Sequence, residues 1–304
     1  MDFLYTEEVL ISPFVNSFSS IAIKRLPHHR KGRRTIPNLK NGDYFEESYP
    51  SSRRLTFDMG RVGMSRHHMK ALLEVNVTAA WERVQQSRQT GQKISFFAWL
   101  VKATADCIAL HPQVTGINQP ARNKVIVFKD VDVSIMVEKE VNGVLVPLPY
   151  VVRRANQKTL AEIQDEIQAC KTQKVENESG YVLGESGAPA WMKLFVSLPQ
   201  WLRLPLFRIF LKDPQRARGN MGTAMITTVG MVGHTHGWIV PYSIHPVCLA
   251  LGSLNQQPVV RRGEVEIAQI LHLTALIDHD VVDGAPAARF MDDLVKKLEA
   301  GWGL

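Results

Sequence analysis

Three kinds of signal are scarce in this 304-residue chain, and each scarcity excludes a class of protein. Only three cysteines occur, Cys107, Cys170 and Cys248, far apart and in apolar or helical surroundings. They form neither CxxC zinc spacing nor a disulfide framework, so they read as buried thiols in a reducing compartment. No run of ~20 uncharged apolar residues is present, so no membrane span is expected. The amino-terminal MDFLYTEEVLISPF lacks a basic stretch leading into a continuous apolar core. No secretory signal is therefore expected, and the cytoplasm is the default compartment. There is no internal repeat.

What is present is the composition of a globular protein with a substantial core, 45% hydrophobic and 21% charged. A formal net charge of +7 favours an anionic partner without naming one. A dense basic cluster without an acidic residue, KRLPHHRKGRRTIPNLK, runs from Lys24 to Lys40. Such a cluster can bind nucleic acid or a phosphate, but no interleaved aromatics or nucleic-acid module accompany it. We therefore expect a basic arm, solvated or packed on a neighbouring subunit, and no nucleic acid among the partners.

The most informative stretch is LHLTALIDHDVVDGAPAARFMDDLVKKLE, from Leu271 to Glu299. Leu271, Leu273, Ala275 and Ile277 alternate as in a strand; Ala287, Phe290, Met291, Leu294, Val295 and Leu298 recur at helical spacing, with Pro286 suited to a first turn. Between strand and helix lies a loop carrying His279, Asp280 and Asp283. Histidine suits proton transfer near neutral pH, and rigid flanking elements would aim it. A lone histidine in a capped turn more commonly just bonds its neighbours, so the pattern around it must decide.

That pattern, His279-x-x-x-Asp283-Gly284 within DHDVVDGAPAARF, resembles the HxxxDG signature of the acyltransferase component of 2-oxoacid dehydrogenase complexes and of chloramphenicol acetyltransferase. Further stretches resemble the same family in the same order: EVNVTAAWERV up to Val84, ISFFAWLVKATADCIALHPQVTGIN from Ile94, the segment from Val131 to Cys170, and GTAMITTVG from Gly222 to Gly230. Asn142-Gly143 and Arg262-Gly263 mark hairpins. Thr78 is expected to cap a helix beginning near Ala79.

The resemblance implies an α/β fold, the chloramphenicol acetyltransferase-like two-layer sandwich of a mixed sheet with helices on one face, over residues 51–304. It implies coenzyme A or acyl-coenzyme A as substrate, no metal, His279 as general base and Thr227 as donor to the oxyanion. Asp283 would anchor the histidine loop through an arginine, with Arg53 and Arg54 lying near the place where relatives carry one. The family's centres join His279 and Thr227 from different subunits, so a homotrimer or an assembly of trimers is expected.

Four departures qualify this. Asp280 stands where relatives in dehydrogenase complexes usually have arginine, and Thr227 where serine is usual. No lipoyl domain is visible, so no covalently bound lipoyl group is expected and the chain reads as a stand-alone acyltransferase of unknown acceptor. The alternative is a trimeric scaffold or binding module of the same fold without catalysis. Finally, residues 186–214 form an apolar, cation-studded insertion that Pro199 and Pro205 should split into short helices. It can pack on the body or another subunit, cover an acyl channel, or contact a membrane surface through 188–211. His234 and His236 lack a third metal ligand nearby and read as part of a polar glycine-rich loop.

Overall fold

Apolar residues at every second position from Leu271 to Ile277 commit one face of a strand to the core, and the computed structural model of the protein is assembled on that strand. The structure describes residues 53–89, 91, 94–141, 144–172, 190–228 and 236–304, all within the compact unit Ser48–Leu304. The basic arm of residues 1–50, the Asn142-Gly143 turn and His234 lie outside the described residues.

In chain order the elements are α1 (Arg53–Gly63), β1 (His68–Asn76), α2 (Thr78–Gln89), α3 (Phe96–Leu110), the small pair β2 (Ile117–Gln119) and β3 (Lys124–Ile126), β4 (Val133–Val141) and β5 (Val144–Val152). Then come α4 (Leu160–Thr172), α5 (Ala190–Ser197), α6 (Gln200–Lys212), α7 (Pro214–Met221), β6 (Ala224–Thr228), β7 (Val247–Arg261), β8 (Glu264–Asp278) and α8 (Gly284–Glu299). The main sheet has the order β1-β8-β7-β6-β4-β5. It is mixed, because β6 runs parallel to both β4 and β7 while the other pairs are antiparallel. This is the mixed α/β architecture that the motifs implied.

The two faces of the sheet differ in chemistry. On one, Val133, Ile135, Ile226, Leu249, Leu273 and their neighbours pack with α2, α3, α4 and α8 in a single apolar cluster. Helix α3 is apolar around most of its circumference because it lies in the middle of this layer, against α4 and α8, with Trp99, Leu100 and Ile108 wholly buried. Its amino terminus is capped by Ser95, whose hydroxyl accepts from Ala98 N at 3.1 Å. Strand alternation places Ser134, Thr227, Cys248, Ala250, His272, Thr274 and Asp278 on the other face, all buried but small or polar. There the segment from Gly237 to Pro246 closes over the sheet, with Trp238 edge-on to His272 at 4.4 Å between ring centres and bonding Leu73 O at 3.0 Å.

Several local expectations are corrected. Residues from Arg53 to Gly63, considered above only for Arg53 and Arg54, form a helix. The cap of α2 is supplied by Asn76, whose Oδ1 accepts from Thr78 N at 3.1 Å; the Thr78 hydroxyl instead accepts from Gln269 N, tying the helix start to β8. Pro199 separates α5 from α6 as expected, but Pro205 lies inside α6. Inward contacts at Arg203 and Leu211, on either side of Pro205, hold that helix together across the missing amide.

Candidate active site

The loop carrying His279 is held by charge. Asp278, the last residue of β8, is wholly buried, and its Oδ2 accepts from Arg66 Nη1 at 2.7 Å. Its Oδ1 accepts from Asp280 N at 3.1 Å, and its backbone N–H bonds Pro246 O. A carboxylate removed from water is costly unless paired, so the ion pair and these bonds fix where the strand ends and the turn begins. His279 follows directly, exposed, with its N–H bonded to His67 O at 3.0 Å. Val282 is buried, and Val281 lies so close to Gly116 that a Cβ there would stand 2.9 Å from its methyl.

Outside this frame a second pair flanks the histidine: Asp280 Oδ1 lies 3.0 Å from His67 Nδ1, both side chains largely exposed. The hydrogen bond and charge of Asp280 raise the His67 imidazole above its ordinary range.

Asp283 precedes α8, exposed, and its side chain makes no cap bond to the helix. No cationic partner accompanies it among the described residues, and the arginine pairing expected for it falls instead on Asp278. Nor do Arg53 and Arg54 reach the loop: Arg53 is exposed, and Arg54 Nη1 donates to Val196 O at 3.3 Å. Sequence reasoning missed Arg66, His67 and Asp278. The available signal was an acidic residue at a strand position facing the interior, which demands a cation.

Beneath the loop lie two more histidines. His245 is fully enclosed; its Nε2–H donates to Met221 O at 2.8 Å, and burial, with Arg66 and His68 nearby, lowers its pKa to about 4. His68 Nε2–H donates to His245 O at 2.9 Å, and burial lowers its pKa as well. Both rings are therefore neutral structural donors near neutral pH.

Thr227 stands on β6, only 8% exposed, between the two strands parallel to it. Entry to β6 is pinned by Asp132, whose backbone O accepts from Thr223 N and Ala224 N, and whose carboxylate accepts from Arg218 Nε at 2.9 Å and Arg153 Nη1 at 3.3 Å. Gly222 makes this possible: it has φ +77, and a Cβ would lie 2.6 Å from Asp132 O. Thr274, on the same face, is wholly buried and its hydroxyl has no partner.

The register also measures how far the two residues are apart. Thr227 is level with Ala250, and Ala250 with Thr274, four residues before Asp278. Two strand spacings and that rise put the Thr227 and Asp278 Cα atoms roughly 17 Å apart, with His279 beyond. One chain therefore does not bring the imidazole and the hydroxyl to one reacting carbon.

A family model described as the 2-oxoacid dehydrogenases acyltransferase (catalytic domain) matches residues 53–180 and 214–304. The chain belongs to that family. Its match passes over residues 181–213, which include the whole of α5 and α6. Among curated relatives, the dihydrolipoyllysine-residue acetyltransferase component of the Mycoplasma pneumoniae pyruvate dehydrogenase complex is 29% identical over 209 residues, 68% of this chain and 42% of that protein. The chain spans about half the length of the curated relatives it matches.

Solved structures agree on the fold. That of Azotobacter vinelandii dihydrolipoamide acetyltransferase, studied for the role of a serine, a histidine and an asparagine in its catalytic mechanism, superposes with a TM-score of 0.59 at 18% identity, covering 87% of this chain and 96% of that one. The cubic core of the pyruvate dehydrogenase multienzyme complex gives 0.58 at 18% identity, over 87% and 96%. Among the described residues no helix is long and apolar enough to cross a membrane. No group of three or more His, Cys, Asp or Glu among them is placed to hold a metal.

Proposed function

We propose that the protein is a coenzyme A-dependent acyltransferase working as a trimer or an assembly of trimers, with His279 of one subunit facing Thr227 of the next. The observation that carries this reading is the pairing of an exposed imidazole, aimed by a buried Asp278–Arg66 pair, with membership of an acyltransferase family. His279 removes the proton from a thiol, hydroxyl or amine acceptor as that group attacks the thioester carbonyl. The resulting oxyanion accepts a hydrogen bond from the Thr227 hydroxyl. On collapse the carbon–sulfur bond breaks, and the departing coenzyme A thiolate takes its proton from the His279 imidazolium. No acyl-enzyme is needed, because both substrates meet at one base.

Two features favour subunit contact. The roughly 17 Å between Thr227 and the end of β8 within one chain leaves each half of the centre incomplete alone. In addition, β7 and β8 continue past their neighbours as a two-stranded ribbon ending at Arg262-Gly263, with Val260 76%, Val265 71% and Ile267 64% exposed. Such a ribbon is only marginally stable in water unless packed on something. The cubic core of the related complex offers a precedent for assembly.

The test is thiol release from a panel of acyl-coenzyme A donors, with and without acceptors, by the wild type and His279→Ala. A loss of about a hundredfold or more is expected, as for removal of a general base. Equal rates would leave only the scaffold reading of the fold.

A further inference from the structure

Helix α6, all of which the family match passes over, presents two unlike stripes. Inward, Leu211 joins Val62 and Ile244 in a small apolar cluster. Arg203, 4% exposed, donates Nε to Asp58 Oδ2 at 2.6 Å and Nη2 to Asp58 Oδ1 at 3.2 Å. Gln200 Nε2 adds a bond to the same carboxylate at 3.1 Å, so a buried polar clamp fixes how α6 is rolled against α1. Outward, Trp201, Pro205 and Ile209 recur four residues apart and so share one side of the helix. Trp201 is 75% and Ile209 63% exposed, and Leu194 on α5 is 66% exposed. Arg208 and Lys212, again four apart and exposed, run beside them.

The charge of this region is one-sided. From Ala190 to Met221 the only acidic residue is Asp213, and it is already engaged, capping α7 and pairing with Arg216. Exposed tryptophan and isoleucine alone would suit a protein or a lipid partner. Cations without nearby free carboxylates select an anionic one, and indole and guanidinium or ammonium groups together suit the headgroup layer of a bilayer. With 13 residues α6 is about 20 Å long, enough to lie on a bilayer and too short to cross it.

We propose that the outward stripe of α6, with Leu194 beside it, docks the protein on an anionic lipid surface. Trp201 and Ile209 enter the headgroup region, and Arg208 and Lys212 meet lipid phosphates. The Asp58–Arg203 clamp keeps this stripe outward, and the inference stands whether or not His279 transfers acyl groups.

The experiment is flotation of the full chain with phosphatidylcholine vesicles, with and without phosphatidylglycerol. Binding is expected only to the anionic vesicles and should weaken as salt rises. Trp201→Ala with Ile209→Ala, and separately Arg208→Glu with Lys212→Glu, should each lower the partition coefficient at least about tenfold with near-ultraviolet circular dichroism unchanged. The proposal is overturned if the wild type does not bind anionic vesicles or if folded variants bind equally. It is also overturned if the substitutions change the oligomeric state instead, which would make the stripe a contact between copies.

Discussion

The His279 loop and the Thr227 strand are built in opposite ways. His279 is exposed in a turn whose position is set by ion pairs, one buried at Asp278–Arg66 and one exposed at His67–Asp280. Thr227 is nearly buried in a strand paired in parallel on both sides, with its entry locked by Asp132 and Gly222. A general base must reach exchanging substrates, whereas an oxyanion donor works by being preorganised and staying still. Under the proposed function each residue therefore has the scaffold its task requires, and assembly brings the two scaffolds together.

The sharpest way to break this comparison is at the hydroxyl. Thr227→Val keeps the shape of a β-branched residue, and a loss of about a hundredfold in kcat with folding intact is expected, largely restored by Thr227→Ser. Next comes the charged frame: Arg66→Met leaves the Asp278 carboxylate buried without its cation. That should lower stability by about 3 kcal/mol in urea unfolding, while Thr227→Val leaves stability nearly unchanged.

The pH dependence separates the two histidine environments. Burial holds the pKa of His245 down at about 4, so between its ordinary value of 6.5 and that value the unfolded chain binds a proton that the folded one refuses. Stability should fall as pH drops through this window, by up to about 3 kcal/mol, and His245→Asn should flatten the slope. His67 has the reverse sign. Its pKa is raised by Asp280, so its contribution is fully present below pH 6.5 and is lost as pH rises through the raised value. Because His67 is exposed, the difference between wild type and Asp280→Asn should be the smallest of the set.

The strand ending beside His279, the helix after it and the hairpin at Arg262-Gly263 were legible because apolar alternation, helical spacing and turn residues act locally, whereas the mixed sheet came only with the family resemblance. Arg66 was not, since its partner lies 212 residues away and only the antiparallel pairing of β1 with β8 brings them together. For the same reason, arginines near the expected place in sequence, Arg53 and Arg54, were mistaken candidates: α1 directs Arg54 to the α5 terminus. Thr78 was misassigned because its hydroxyl is engaged elsewhere, donating to Asn76 Oδ1 and accepting from Gln269 N, and that second partner lies 191 residues away. The insertion was visible by composition, but its clamp needed the fold, because a buried arginine and an exposed one look alike in sequence.

The most direct measurement mixes two inactive chains. His279→Ala retains Thr227, Thr227→Val retains His279, and co-assembly of the two in equal amounts gives intact centres only if each centre spans two subunits. About one site in four should then be restored in randomly mixed closed rings, with acyl transfer rising well above either variant alone. Activity of the co-assembled mixture no greater than the mean of the two parents would contradict a shared centre.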